Sequence, residues 1–246
     1  MDFEKEKEML LKMKASSSGG VSKDDFITIG PDQEIMVRIL PGKDAETPFF
    51  HTVHQHYVRS GEEGNGRYYS CLRDKDQKCP LCEVYFSLFK TGDSDNVALA
   101  RSIAPRQQTL MNTVERSSDT VKILRVGKQL FDVIMGTILD EEYGPVHDLD
   151  NGFDYKIKRV GKGLATSYTQ SAPARHESPA GDQQAKDRYM GSLHDIQNIT
   201  RYMDYDDVEK ASANVLAESS EGVSVKNPVE KSDGANSVNL TSLLND

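Results

Sequence analysis

The sequence predicts a mainly β protein with some α: a small β-barrel carrying insertions. Three observations predict it. At least five short runs alternate apolar and polar residues, compact turn signals separate them, and helical periodicity is confined to a few short windows. The chain is 246 residues long, 37% hydrophobic and 28% charged, with no tryptophan, which suits a soluble core with polar segments attached.

Taken in order, residues 3–14 set Phe3, Leu10, Leu11 and Met13 among charges, a weak helical pattern, and KASSSGG (14–20) follows as a linker. The core opens with two expected strands, DFITI (25–29) and EIMVRILP (34–41), parted by the turn signal GPDQ. PFFHTVHQHYVRS (48–60) alternates, with Phe50, Thr52, His54, His56 and Val58 on one face and His51, Val53, Gln55, Tyr57 and Arg59 on the other. GEEGNG is a polar turn, RYYSC (67–71) a returning strand, and EVYFSLFK (83–90) a short buried helix. VKILRV (121–126) reads as a strand. In GKQLFDVIMGTILDEEYG, Leu130, Phe131, Ile134, Met135 and Ile138 recur at helical spacing. FDYKIKRV (153–160) alternates again, and RVGK occurs at 125–128 and 159–162, each time placing cations at a strand end. Beyond about residue 217 periodicity is lost until VNLTSLLND, a disordered acidic tail ending in a small apolar hook.

No run approaches the roughly 18 apolar residues of a membrane span, and the first residues lack the apolar stretch of a signal peptide. The expectation is an intracellular protein with reduced thiols. A net charge of −9 argues at first against a nucleic-acid partner, but it is unevenly spread. Residues 21–175 carry 22 acids and 20 bases, whereas residues 201–246 carry 9 acids and 4 bases. A nearly neutral core can present a basic groove if its charges are segregated.

All three cysteines lie in one window, Cys71, Cys79 and Cys82, after a histidine-rich strand. Cys79-Pro80-Leu81-Cys82 is a metal knuckle: its turn aims two sulfurs at one point, and the following helix sets its positive end near the thiolates. Cys71 supplies a third corner. The fourth falls to a histidine, His56, which lies nearer the hairpin, with His54 in reserve. Four protein ligands leave no open position, so the expected Zn2+, one per chain, is structural. Two other readings stay open: a redox pair at Cys79 and Cys82, and an incidental set of thiols.

Tyr57 and Arg59 on one strand, with Arg67, Tyr68 and Tyr69 on the next, combine rings and guanidinium groups as single-stranded nucleic acid requires. Charge and alternation add Arg116, Lys156 and Lys158. No catalytic constellation is present, and GKG (161–163) lacks phosphate-loop spacing.

The order VRILP, HYVRSGEEGNGRYYSC, CPLC resembles the single-stranded-DNA-binding (helix-destabilising) proteins of T-even-type bacteriophages, and MNTVER, RVGKQLFDVI, GFDYKIKRV, TSYTQSA and the terminal SLLND extend the similarity. The resemblance implies an OB-like β-barrel core with an inserted zinc subdomain and a cationic cleft. By matching motif it implies His56, Cys71, Cys79 and Cys82 as metal ligands. It also implies Arg38, Arg59, Arg67, Tyr68, Tyr69, Arg106, Arg125, Lys128 and Tyr168 as contacts to the strand. The domains it implies are an N-terminal arm (1–20) for self-association, a core (21–216) with the zinc subdomain around 50–90, and an acidic tail (217–246). The resemblance implies that this tail recruits replication, recombination and repair proteins, and the lack of a signal peptide or membrane span gives the host cytoplasm as the expected location. Where the family carries a Tyr-Trp pair this chain has Thr109 and Leu110, and only KMKASS (12–17) approximates the family's basic arm. The expected function is a non-enzymatic, sequence-independent coat on single-stranded DNA; the alternatives are a thiol redox enzyme and a zinc-stapled adaptor between proteins.

Overall fold

The computed structural model describes residues 21–59 and 66–220. The arm at 1–20, the turn at 60–65 and the tail beyond 220 lie outside the described residues.

Seven strands among these residues form one sheet: β1 (Glu34–Ile39), β2 (Phe50–Arg59), β3 (Gly66–Ser70), β4 (Arg106–Glu115), β5 (Thr120–Gly127), β6 (Asp154–Lys158) and β7 (Ala172–Pro173). Five helices accompany them: α1 (Pro80–Lys90), α2 (Ser94–Ile103), α3 (Lys128–Ile138), α4 (Gln183–Gly191) and α5 (Tyr205–Ser220). The strand order is β3-β2-β4-β1-β6-β7, with β5 on the other edge of β4, and every ladder is antiparallel. β4 organises the sheet. One of its edges pairs β2 through Arg106–Met111 and then β1 through Thr113–Glu115, while the other pairs β5 through Gln108–Glu115. The ladder of the described strands ends at β3, β5 and β7 and does not close into the barrel expected from the sequence.

One face of the sheet carries the main core. Val37, Ile39, Met111, Leu124, Val126, Tyr155 and Ile157 meet Leu130 and Ile134 of α3, so the helical spacing in that segment marks its buried stripe. A second core lies between the β2–β3 hairpin, α1, α2 and α5; it is built from Val58, Leu72, Leu81, Val84, Leu88, Ile103, Val208 and Val215 around the three cysteines.

DFITI does not form the expected strand. Ser22 and Asp25 close a capping box around a 3-10 turn at Lys23–Asp25, and only Phe26 bridges the sheet, beside Ile123. Local side-chain caps there outcompete a ladder. α4 and α5 were not anticipated. Asp182 capping the amide of Ala185, and Val208, Ala211 and Val215 buried at helical spacing, are the signals that could have found them.

Candidate metal centre and nucleic-acid interface

Local rules place the four candidate ligands. Cys79 is the N-cap of α1 and Pro80 occupies its first turn, where a missing amide hydrogen costs nothing. Cys82 follows within that turn. Cys71 caps a 3-10 turn at Leu72–Lys75, and its own amide extends the hairpin ladder onto the carbonyl of His54 at 2.8 Å. His56 pairs with Tyr69 across the hairpin.

The four ligand atoms lie within 4.8 Å of one another, and all four residues are buried. Nε2 of His56 stands 3.6 Å from Sγ of Cys79 and 3.5 Å from Sγ of Cys82, and Sγ of Cys71 lies 3.5 Å from that of Cys82. A tetrahedral ion with bonds of about 2.3 Å to sulfur and about 2.0 Å to nitrogen would set S···N edges near ~3.5 Å and S···S edges near ~3.8 Å. The donor set therefore fits a zinc-sized ion. His56 is oriented for it: Nδ1 donates to the carbonyl of Ile103 at 2.7 Å, which turns the Nε2 lone pair toward the sulfurs. His54 is engaged elsewhere, with Nδ1 2.8 Å from Asp74 Oδ1 and its amide donating to Oδ2.

The electrostatics of these four side chains point the same way. Burial opposes charge on His56, but hydrogen bonds from Cys71 and Cys79 outweigh it and lift its pKa to about 9. Hydrogen bonds from Cys71 and Cys82 push the Cys79 thiol down, while those from Cys71 and Cys79, with burial, push Cys82 up. Three thiols this close cannot all ionise without a cation among them. With every corner taken by protein, the site can staple and has no position for a reacting water.

Three depressions adjoin around β4 and β5 through shared lining residues, and together they describe a trough that starts beside the main core at Val126 and Leu130 and passes onto the face carrying Leu110 and Arg125. The first is lined by Phe26, Arg125, Gly127, Leu130 and Tyr168. The second is lined by Phe26, Gln55, Tyr68, Gln108, Arg125 and Arg201, among others. The third is lined by His54, Arg106, Gln108, Gly127 and Lys128. Phe26 and Arg125 are shared by the first two, Gln108 by the second and third, and Gly127 by the first and third. Four cations line the trough, Arg106, Arg125, Lys128 and Arg201, and among the described residues no carboxylate lines it, although Lys128 also reaches Asp132 at 2.8 Å. α3 opens there behind Gly127 without a side-chain cap, so its dipole adds positive potential.

The sequence-predicted contacts divide sharply. Arg106, Arg125, Lys128, Tyr68 and Tyr168 line the trough. Tyr57 lies beside it, its ring 4.9 Å from that of Tyr68. A Cβ on Gly66 would come within 2.2 Å of the Tyr57 ring, so only glycine lets that ring lie across β3. Arg59 is exposed at the end of β2. Arg67 and Tyr69 point to the other face, where the Arg67 guanidinium lies 5.6 Å above the Tyr69 ring and that ring packs on the metal-side core. Lys156 and Lys158 lie on β6, beyond β1, and line none of the three depressions.

Arg38 and Arg116 correct the sequence expectation. Arg38 is 0% exposed. Its Nε donates to Asp154 at 2.9 Å, and its Nη2 donates to the carbonyl and hydroxyl of Ser178 at 2.7 and 2.8 Å. Arg116 clasps the same carboxylate and donates to the carbonyl of Ala180 at 2.7 Å. Burial pushes the Arg38 pKa down and Asp154 pulls it back. A Cβ on Gly152 would come within 2.7 Å of Nη1 of Arg38, so glycine there makes room for the brace. These guanidinium groups bind the protein to itself.

Sequence reasoning missed Phe26, Gln55, Gln108 and Arg201. Arg201 belongs to an irregular segment that walls the trough and is tied to the metal side. Ser70 Oγ donates to the Arg201 carbonyl at 2.9 Å, and the Lys75 ammonium lies 5.0 Å above the Tyr202 ring.

Comparison with curated proteins returns no match. The family model described as gp32 DNA binding protein like matches residues 32–218. That span covers about three quarters of the chain and includes the cysteine cluster and most of the trough, and the chain belongs to the gp32-like DNA-binding protein family.

Proposed function

We propose that this chain is a sequence-independent single-stranded-DNA-binding protein, without enzymatic activity, that coats exposed strands during phage DNA replication, recombination and repair. One observation carries the reading: a trough with four cations, three rings (Phe26, Tyr68 and Tyr168) and, among the described residues, no lining carboxylate, in a chain of net charge −9. Cations track phosphates, rings stack on bases of any identity, and both act on an unpaired strand. On this reading the open sheet serves as an OB-type binding surface walled by the Ile199–Met203 segment, and Tyr57 and Arg59 extend its path.

We assign His56, Cys71, Cys79 and Cys82 as ligands of one structural Zn2+. When bound, the ion supplies a cross-link between hairpin and helix. The redox alternative is disfavoured because Cys79 and Cys82 are each 1% exposed, which leaves no thiolate open to a disulfide substrate. The arm at 1–20 for self-association and the tail at 217–246 for partner proteins are part of the same proposal.

Fluorescence titration of an oligo-dT strand and a duplex of equal length, at 50 and 200 mM salt, tests it. The strand should bind at least about tenfold tighter. Four phosphate contacts give a salt slope near −3, hence a loss of roughly fiftyfold across that range. Equal affinity for duplex, or indifference to salt, would refute the reading.

Deletion of residues 217–246 checks the charge argument. The tail should compete with DNA for the cationic trough, so its removal should tighten strand binding several-fold at low salt, with the gain shrinking at 200 mM. Unchanged or weaker binding in the truncated protein would remove that competition from the account.

A further inference from the structure

We propose that Phe26 is a base-stacking station in the middle of the trough, and that the guanidinium of Arg125 is its movable cover. The inference rests on the single-strand reading above and adds to it a residue that lies outside the span 32–218 matched by the family.

Phe26 stands on a fixed pedestal. The capping box of Ser22 and Asp25 holds the turn before it, with Asp24 N–H on Ser22 Oγ at 3.0 Å and Ser22 N–H on Asp25 Oδ2 at 2.7 Å. The residue bridges Ile123, and the next amide, from Ile27, donates to the Ile123 carbonyl at 3.0 Å. The two neighbours are used differently. Ile27 is 9% exposed and joins the main core, whereas Phe26 stays half-buried, packed against Leu110, Ile123 and Ile196 with its ring between two of the depressions. The same depression is lined by Val53, Gln108 and Leu110, and its other ring, Tyr68, stands on β3. At this point of the trough the π surface comes from Phe26.

The Arg125 guanidinium lies 5.4 Å from the centre of that ring. Such a pair at an exposed position is worth about a two- to fivefold preference. A base stacked on an aromatic ring is worth about five- to 150-fold, and the released guanidinium can meet a phosphate. Exchange of cover for base is therefore favourable once a strand lies in the trough. Arg125 then contributes twice, shielding the ring at rest and pairing with phosphate when bound.

The test pairs a protein change with a ligand change. Phe26→Leu keeps apolar bulk and removes the π face; Phe26→Tyr keeps the ring. Anisotropy titrations use oligo-dT and an abasic strand of equal length. Phe26→Leu should weaken oligo-dT about tenfold, leave the abasic strand within about twofold, and Phe26→Tyr should restore dT binding. Equal losses on both strands would show a structural defect and overturn the station, and so would no loss on either. In the unaltered protein, the Phe26 ring proton resonances should move upfield with oligo-dT and stay in place with the abasic strand; a ring signal unmoved by oligo-dT also overturns it. Should the unaltered protein bind neither strand, the single-strand reading itself fails, a different outcome from failure of the station alone.

Discussion

Cys79→Ser, or prolonged chelation of the unaltered protein, is expected to abolish metal binding and to weaken oligo-dT binding by more than about tenfold, with a large drop in thermal midpoint. Structural zinc in small domains contributes on the order of 10 kcal/mol of apparent binding free energy, most of it expressed as folding. Here the cluster draws on β2, the turn after β3 and the start of α1, which share one buried core with α5. The Ile199–Met203 wall hangs from the same core: Tyr202 and Met203 pack on it, and Ser70 holds the Arg201 carbonyl. Without the ion, the Tyr68 wall and the Arg201 wall lose their common anchor. Metal uptake must also release protons, because, against burial, the hydrogen bonds from Cys71 and Cys79 lift the His56 pKa to about 9; metal affinity should therefore fall as the pH is lowered. Elemental analysis, melting curves and titrations with and without chelator check this. Metal-free protein with an unchanged midpoint and unchanged affinity would exclude the staple.

Asp154→Ala should cost roughly 3–5 kcal/mol of folding free energy, because it leaves the fully buried Arg38 charge without its carboxylate and strips Arg116 of the same partner. Arg38→Ala should likewise destabilise, by breaking the tie that runs from β1 to the Asp148, Ser178 and Pro179 carbonyls. In each case the folded fraction should bind oligo-dT within about twofold of the unaltered protein, with the same salt slope. Urea unfolding followed by titration below the transition separates the two effects. A normal unfolding midpoint combined with a shallower salt slope would return Arg38 to the DNA contacts and undo the brace.

The contrast between these two sites shows what a sequence can carry. The cysteine quartet was legible because its spacing is local: three thiols lie within 12 residues, and the histidine is the strand partner of a residue two positions before Cys71. Even the choice between His54 and His56 had a local component, although Asp74, 20 residues away, closes it by occupying His54. The helix α3 and the alternation of β2 and β6 were legible for the same reason, since periods of 3.6 and 2 are properties of neighbours. Arg38 was misread because nothing near it differs from a surface cation on a strand. Its carboxylate lies 116 residues away and its carbonyl partners at Ser178 and Pro179 140 and 141 residues away.

The sequence by itself determined a mainly β chain, a soft-donor cluster of fixed composition and a surplus of acid toward its end, because each of these is written in adjacent residues. The tertiary structure alone decided which cations line the trough and which are spent inward. Phe26 and Arg201 reach the trough from segments outside the seven strands, and the sheet joins Arg106 to Arg125 through β4 and β5 rather than through the chain. Burial sorts identical guanidinium groups into inward brace and open trough wall, and burial depends on how distant segments pack.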